Sequence, residues 1–215
     1  MIRRAQHHVF IENQYLTASV ISQALAERLA GADPPDAVAI TSRDNEGWLE
    51  QVAMAGLRTR WCREVRKADH SGSFGVYCPL DRKGCPLIVH SKLLSVDDRW
   101  LYPGSANLAN RSMSLDTECG LAIDGSTRPD VQTAIRGLRR RLLGEHLGAT
   151  VDELADAEAR QSLKRAVESL RDRERTLMPL ETGKQELPDA RFIIGGVHPT
   201  FMWKELLEAE GSPVD

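Results

Sequence analysis

The sequence predicts an α/β fold built around a central sheet, and its composition and charge narrow the kind of protein. Apolar runs with strand character alternate along the chain with segments that carry apolar residues at helical spacing. The chain has 215 residues, of which 41% are hydrophobic and 27% charged, a composition typical of globular proteins with a sizeable core. Its formal net charge of −3 gives no overall basic field that would indicate a nucleic acid or an anionic membrane as partner.

The first part of the chain predicts alternating strands and helices. Thr17 or Ser19 is expected to cap the first helix, because both side chains accept hydrogen bonds from helical N–H groups. The expected elements are a strand at 9–13, a helix at 19–30, a strand at 37–42, a helix at 43–68 and a strand at 72–80.

The second part continues the pattern as far as residue 149 and then changes in character. Beyond that point the sequence is rich in charges of both signs, with a helical pattern over 150–177 and a Pro-broken tail from Met178. The expected elements before the change are strands at 86–98 and 99–105 joined at an Asp97–Asp98 turn, a strand at 116–124 and a helix at 127–148.

Two basic side chains interrupt the apolar run at 86–98. His90 and Lys92 are two residues apart, so on a strand both side chains project from the same face. The ammonium group favours an unprotonated imidazole, which can act as a nucleophile, and it attracts an anion such as phosphate. The alternative interpretation is a structural histidine whose hydrogen bonds are satisfied within the core.

The Pro-Gly-Ser-Ala-Asn turn that follows also suits an anion. Ser105 offers a hydroxyl group, Asn107 an amide, and Gly104 lets backbone N–H groups approach a ligand closely. The alternative is a helix start that Ser105 or Asn107 caps.

Further along, Glu118 begins an apolar segment, where a carboxylate is costly unless it is paired. A carboxylate there that accepts a proton from one imidazole nitrogen would fix the tautomer, a role that Asp116 fills equally well in a shifted register.

These residues together resemble the motifs of the phospholipase D superfamily. The stretch IENQYLT at 11–17 is similar to the segment that opens the C-terminal half of two-motif phospholipases D, and LLGEHLG at 142–148 is similar to its closing helix. The H-x-K-x4-D motif consists of His90, Lys92 and Asp97, the G-S-x-N element of Gly104, Ser105 and Asn107, and the later carboxylate is Glu118.

The resemblance implies an α-β-α sandwich with a central mixed sheet, in which two motifs meet across a pseudo-two-fold axis. One histidine attacks phosphorus and forms a phosphohistidine, and the other protonates the leaving group and then activates water or an alcohol. His90 and Lys92 would then be catalytic, and Lys92, Ser105 and Asn107 would hold the phosphate, with Glu118 in support. Asp97 belongs to the motif, but we expect a structural role further from the phosphate. No metal or other cofactor is implied.

The chain carries a single H-x-K motif, so it supplies half of the expected site. We therefore expect a phospholipase D-like half-domain at 1–149, followed by a charged helix and tail at 150–215. The favoured function is a phosphodiesterase or transphosphatidylase that acts on phospholipids, with a second motif from another segment or from a homodimer partner. The alternatives are a homodimeric single-motif nuclease and a half-domain that is catalytically incompetent. Peripheral membrane contact and a cytoplasmic location are favoured over secretion, because the N-terminus lacks the apolar core of a signal peptide.

Other sequence features add little to the site. The run Arg139–Arg141 is expected to form a solvated helix face rather than a nucleic-acid patch, and the low aromatic content of 5% also disfavours a nuclease. The four cysteines are expected to be buried thiols, although Cys78 and Cys85 are spaced to pair in an oxidising compartment. In the tail, packing against the domain is favoured over lipid contact for three residues, Phe201, Met202 and Trp203.

Overall fold

Seven strands form one mixed sheet in the computed structural model, which describes residues 1–43 and 48–180 and, among these, the side chains outside 48–53. The strands, numbered along the chain, are β1 (His8–Asn13), β2 (Asp36–Ile40), β3 (Phe74–Leu80), β4 (Lys92–Val96), β5 (Trp100–Pro103), β6 (Ile123–Asp124) and β7 (Thr176–Pro179). Across the sheet they lie in the order β6-β5-β4-β1-β2-β3-β7.

Helices flank the sheet. They are α1 (Ser19–Leu29), α2 (Trp48–Ala68), α3 (Asn110–Ser114), α4 (Pro129–Leu147), α5 (Val151–Glu158) and α6 (Leu163–Leu170). The three central strands β1, β2 and β3 are parallel and are connected through α1 and α2, and the remaining neighbouring strands pair antiparallel. Two successive parallel crossovers of this kind bring both connecting helices to one face of the sheet.

Successive residues of the central strands contribute to two separate cores, because strand side chains alternate between faces. On one face Val9 and Ile11 pack in a cluster with Leu25 of α1. On the other face Phe10 packs in a second cluster with Leu143 of α4. The sheet is therefore covered on both sides, which confirms the predicted α-β-α sandwich with a central mixed sheet.

The Asp97–Asp98 turn joins β4 and β5 as predicted. Both residues have positive φ, 55° for Asp97 and 53° for Asp98. A two-residue hairpin loop with positive φ at both positions matches the twist of the strands that it connects, and aspartate tolerates this conformation better than most residues. The turn therefore forms where the sequence places it.

Two predicted strands are shorter in the structure. The strand predicted at 86–98 begins only at Lys92, because the preceding residues bond outside the β1–β4 ladder, with Leu87 N donating to Pro79 O at 2.9 Å. The strand predicted at 116–124 is reduced to β6, since the residues before it make only an isolated bridge between Gly104 and Gly120. His90 and Glu118 consequently lie in extended segments outside the regular strands.

The chain after residue 149 forms two helices, α5 and α6, where a single helical segment was predicted. Leu154 and Val167 from these helices enter the same core as Phe10. Met178, predicted to begin the tail, instead lies in β7 and pairs with Cys78 of β3. The boundary predicted at 149 stays a prediction, and the expected packing of Phe201, Met202 and Trp203 lies outside the described residues.

Arg139 contradicts the predicted solvated helix face. Its side chain is 3% exposed and pairs with Asp98 at 2.7 Å and with Glu158 at 2.5 Å. Only Arg141 of the three arginines is exposed. The prediction was wrong because Arg139 lies at a spacing of four from buried Leu143, which places it on the inward side of α4.

No disulfide joins Cys78 and Cys85, so the pairing considered for them is not formed. Cys62 and Cys78 are buried, as expected, and burial raises the pKa of the Cys62 thiol to about 11. Cys85 and Cys119 are exposed, so the prediction of burial was wrong for these two. Cys78 lies within β3 and Cys85 in the loop beyond it, which separates the two thiols.

Candidate active site

The predicted site residues other than Asp97 lie beyond the carboxyl end of β1, where β4 begins. Asn13, the last residue of β1, pairs with Lys92, the first residue of β4. The Lys92 carbonyl oxygen in turn accepts a hydrogen bond of 3.0 Å from Gly104 N, which attaches the Gly-Ser-Ala-Asn turn to the start of the same strand. In open α/β sheets the carboxyl ends of parallel strands are the usual place for ligands.

Lys92 is half-buried and points its ammonium group back toward the preceding residues. Its Nζ donates to the His90 carbonyl oxygen at 2.6 Å and lies 3.5 Å from Gln14 Oε1. Burial lowers the pKa of Lys92, and the negative charge of Glu118 opposes that shift. A partly desolvated cation attracts an anion more strongly than one in bulk water, which suits the predicted phosphate contact.

His90 presents an exposed imidazole from a fixed backbone. The residue before it, Val89, is buried, and its N–H donates to Ser42 Oγ at 2.8 Å. Among the described residues, no hydrogen bond reaches the His90 ring, although its carbonyl oxygen is held by Lys92. The ring is therefore accessible and uncommitted, as a nucleophile must be before substrate binds.

Glu118 contacts the turn rather than the imidazole. Ser105 Oγ donates to Glu118 Oε2 at 2.5 Å, and Cys119 N donates to Ser105 Oγ at 2.9 Å. The hydrogen bond expected between Glu118 and His90 is not present in the described part of the chain, so the tautomer-fixing role stays a prediction. Asp116, the other candidate, accepts from Arg111 Nε at 2.8 Å.

The amide of Asn107 is half-buried beside this turn. Its Oδ1 is buried and has no hydrogen-bond partner within the described part of the structure. Oδ1 accepts hydrogen bonds, as phosphate oxygens do, so only the Nδ2 amino group of Asn107 can donate to a phosphate. The phosphate contact of Asn107 therefore stays a prediction.

Asn13 fixes the turn and was missed by the sequence reasoning. It is 2% exposed, and its Oδ1 accepts from Leu108 N at 3.0 Å while Nδ2 donates to Ala106 O at 3.4 Å. A polar amide directly after an apolar strand is the only signal that the sequence offered. Asn13 thus couples the end of β1 to the backbone on both sides of Asn107.

The first turn of α1 is held by the same loop. Thr17 N and Ala18 N both donate to Leu108 O at 2.8 Å, and Ser19 N donates to Asn110 Oδ1 at 3.0 Å. The N-cap is Ala18, which has no side-chain cap, so the predicted capping by Thr17 or Ser19 was wrong. The loop supplies these acceptors instead, which ties α1 to the candidate site.

Asp97 lies at the opposite end of β4 from Lys92. Five residues of strand separate the two, a distance of roughly 16 Å. The Asp97 carboxylate accepts from the backbone N–H groups of Gln6, His7 and His8 at 2.7–2.9 Å. The structure therefore does not bring Asp97 together with the other predicted site residues, and its contacts fix the entry of the chain into β1.

Within the described residues, no group of three or more His, Cys, Asp or Glu side chains is placed to hold a metal ion. None of the described helices combines the length and the hydropathy needed to cross a membrane.

Comparison with known proteins agrees with the fold and the motifs. The family model described as "Cardiolipin synthase, PLD-like domain" matches residues 1–136. Phospholipase D alpha 2 from Arabidopsis thaliana is 31% identical over 117 residues, which cover 51% of this chain and 14% of that protein. Phospholipase D alpha 1 from Spuriopimpinella brachycarpa is 32% identical over 108 residues, which cover 47% of this chain and 13% of that protein. The match thus spans a small part of these relatives.

A solved structure supports the fold independently. Phosphatidylserine synthase from Haemophilus influenzae Rd KW20 superposes with a TM-score of 0.50 at 19% sequence identity, covering 79% of this chain and 42% of that chain. Because the family model covers more than half of the 215 residues, and the motifs lie within its range, the chain belongs to the phospholipase D superfamily and contains a PLD-like domain.

Proposed function

We propose that this chain supplies one half of an active site that cleaves phosphodiesters, with His90 as the nucleophile. The observation that carries the proposal is the meeting of an uncommitted imidazole and a partly desolvated ammonium group at one end of the sheet, beside the turn that carries the Asn107 amide. Each of the three groups suits a different part of a phosphate: the imidazole its phosphorus atom, and the other two its oxygens.

In the first step an unprotonated ring nitrogen of His90 attacks phosphorus. The bond from phosphorus to the leaving oxygen breaks, and that oxygen takes a proton from a second histidine supplied by another segment or subunit. Lys92 and Asn107 hold the non-bridging oxygens, where negative charge builds up in the transition state. Ser105, oriented by Glu118, supports the phosphate from the turn.

In the second step the second histidine, now unprotonated, removes a proton from water or an alcohol. The oxygen attacks phosphorus, and the bond from phosphorus to the His90 nitrogen breaks. Water gives hydrolysis, whereas an alcohol gives transfer of the phosphatidyl group.

Phospholipids are the proposed substrates, and two similarities favour them over nucleic acids. The description of the matching family model names a lipid enzyme, cardiolipin synthase, and the two curated relatives are phospholipases D. The net charge of −3 points the same way, since nucleic-acid-binding domains are usually basic. The alternative, a nuclease, is tested by the labelling assay described below with a labelled nucleic acid in place of the phospholipid.

Trapping of the covalent intermediate tests the proposal. Purified chain is incubated with phosphatidylcholine labelled on phosphorus, quenched in alkali, and the label retained on the protein is measured. In the homodimer, or after addition of the segment that supplies the second histidine, we expect label on wild-type chain and on His70→Ala, which removes another exposed histidine. His90→Ala should carry none. Equal labelling of His90→Ala and wild type would contradict the assignment of the nucleophile.

A further inference from the structure

Three separate stretches of the chain meet at one buried carboxylate, that of Glu12. Glu12 is 4% exposed and lies in β1, at the centre of the sheet. The Ser91 hydroxyl donates to Glu12 Oε1, and His146 Nε2 lies 3.2 Å from Glu12 Oε2. Ser91 lies between His90 and Lys92, whereas His146 comes from the last turn of α4. The proposed chemistry uses none of these three side chains directly.

The carboxylate is held in its ionised form. Burial raises the pKa of Glu12, but the hydrogen bond and charge of His146 and the hydrogen bond from Ser91 outweigh it, and the net pKa is lowered. A charge in this position costs stability compared with an apolar residue, because its neighbours Phe10 and Leu93 belong to the core. Because apolar replacement of a buried charge pair is often neutral or stabilising, stability alone is a weak reason for a carboxylate here.

The Ser91 contact lies between two backbone anchors. The regular pairing of β4 with β1 begins at Lys92, so His90 and Ser91 precede the ladder. On the other side, the contact of Val89 with Ser42 Oγ is the next anchor. The hydrogen bond from Ser91 to Glu12 therefore fixes the backbone midway between the proposed nucleophile and the proposed phosphate-binding lysine.

We infer that Glu12 and His146 are positioning residues, which hold Ser91 and through it place His90 and Lys92 at the phosphate. The inference rests on the proposed function of those two residues. His146 orients the Glu12 carboxylate, the carboxylate holds the Ser91 hydroxyl, and Ser91 sets the path of the backbone on both sides. The stretches IENQYLT and LLGEHLG thereby gain a role at the site without touching substrate.

The chain offers a matched control for Ser91. Ser95 lies on β4 opposite Phe10, and the side chains of Phe10 and Glu12 project to the same face of β1, the face that the Ser91 hydroxyl contacts. It is 0% exposed, and its hydroxyl has no partner in the described part of the chain. Ser91→Ala and Ser95→Ala therefore remove the same atom from the same face, and only the first change breaks a hydrogen bond to Glu12. Ser91→Thr keeps the hydroxyl group and serves as the rescue variant.

The experiment measures two quantities on the full chain by NMR spectroscopy. The first is the affinity for inorganic phosphate, with Lys92→Ala as the reference for loss of the site. The second is amide hydrogen exchange at His90 and Lys92. For Ser91→Ala and Glu12→Gln we expect weaker phosphate binding and faster local exchange, each by about tenfold, because a hydrogen bond to a charged group is lost. Ser95→Ala and Ser91→Thr should resemble wild type.

His146 is tested in the same way against His8. Both imidazoles place Nε2 at 3.2 Å from a buried carboxylate, Glu12 for His146 and Asp98 for His8. His146→Gln should weaken phosphate binding and loosen residues 90–92, whereas His8→Gln should change neither. A general loss of stability would affect exchange along the whole of β4 in both variants.

The outcomes separate the inference from the proposed function. If Ser91→Ala behaves like Ser95→Ala in both measurements, the positioning role is overturned. If wild-type chain shows no phosphate binding that depends on Lys92, the proposed phosphate site fails, and local exchange alone decides the positioning role. If Ser91→Thr restores both quantities while Ser91→Ala loses them, the inference stands.

Discussion

Ser105 donates its hydroxyl hydrogen to Glu118 Oε2 at 2.5 Å, so this carboxylate orients the Gly-Ser-Ala-Asn turn. The sequence had suggested the imidazole of His90 as its partner. Glu118 also acts on Lys92 through its charge, since it raises the pKa that burial lowers. A single carboxylate therefore influences both the Ser105 hydroxyl of the turn and the ammonium group of Lys92.

The effect on the lysine gives a first prediction. In Glu118→Gln the opposing negative charge is absent, so the pKa of Lys92 should fall further below its usual value than in the native chain. NMR titration of the lysine Cε signals measures this pKa directly. Asp116→Asn is the control, because Asp116 pairs with Arg111 instead. An equal fall in both variants would show that the effect is not specific to Glu118.

Asp97 gives a second prediction, one of stability rather than catalysis. Asp97→Ala leaves the N–H groups of Gln6, His7 and His8 without their acceptor and places alanine at a φ of 55°. We expect the free energy of unfolding to fall by about 3 kcal/mol, as for buried donors left unpaired. Urea denaturation measures the loss.

The remaining folded chain should bind phosphate with unchanged affinity, because Asp97 lies at the other end of β4 from Lys92. Asp97→Asn keeps one acceptor oxygen and tolerates positive φ, so it should lose less stability than Asp97→Ala. Loss of phosphate affinity with full stability in Asp97→Ala would instead place Asp97 in the site.

Asp98 gives a third prediction, on acid sensitivity. Burial alone would raise its pKa, but hydrogen bonds and charges of Arg139 and His8 hold the pKa well below its usual range. A carboxyl group with a depressed pKa in the folded state stabilises the fold above its unfolded pKa of ~4. That contribution disappears as the pH falls from there toward the folded pKa.

Asp98→Asn should therefore lower the free energy of unfolding at neutral pH by about 3 kcal/mol, because it leaves Arg139 buried without its main partner. The difference from wild type should shrink progressively below about pH 4, where the unfolded aspartate takes up protons. Asp130→Asn is the control, since Asp130 forms a fully exposed pair with Arg128 at 2.7 Å. A difference between Asp98→Asn and wild type that is constant down to the lowest pH would contradict the assignment.

How far the sequence predicts the molecule depends on the range of the interactions. The alternation of β1, α1, β2, α2 and β3 follows from local periodicity, and the Asp97–Asp98 turn from residue types that accept positive φ. The start of β4 does not follow from periodicity. Residues 86–91 continue the apolar run of the strand, but they make their contacts outside the β1–β4 ladder. Lys92, Ser105 and Asn107 were identified by their spacing in the motif.

The contacts of the site depend on pairing between distant segments, which spacing does not reveal. Neither the bond from Ser105 to Glu118 nor the Ser91–Glu12–His146 contacts follow from any local pattern. Arg139 is a different case, since its spacing of four from Ile135 and Leu143 placed it on the buried stripe of α4. A charged residue on such a stripe indicates a buried partner, here Asp98.

The source of the second histidine gives the last prediction. If two copies of this chain pair symmetrically and each contributes His90, activity should depend on dimerisation. Light scattering with a phosphatidylcholine hydrolysis assay over a range of chain concentrations should then show activity that rises with the dimer fraction. A monomer with full activity would contradict any requirement for a second histidine.

Mixing with the inactive variant sharpens this test. Equal amounts of wild-type and His90→Ala chains that exchange freely leave about one quarter of the dimers with two histidines, so activity should fall to about a quarter of that of the same total amount of wild type. Chains that act alone would retain half, and a mixture with His70→Ala should retain all. If no concentration of chain is active, the second histidine comes from a different polypeptide segment, and adding that segment should restore turnover in wild type but not in His90→Ala.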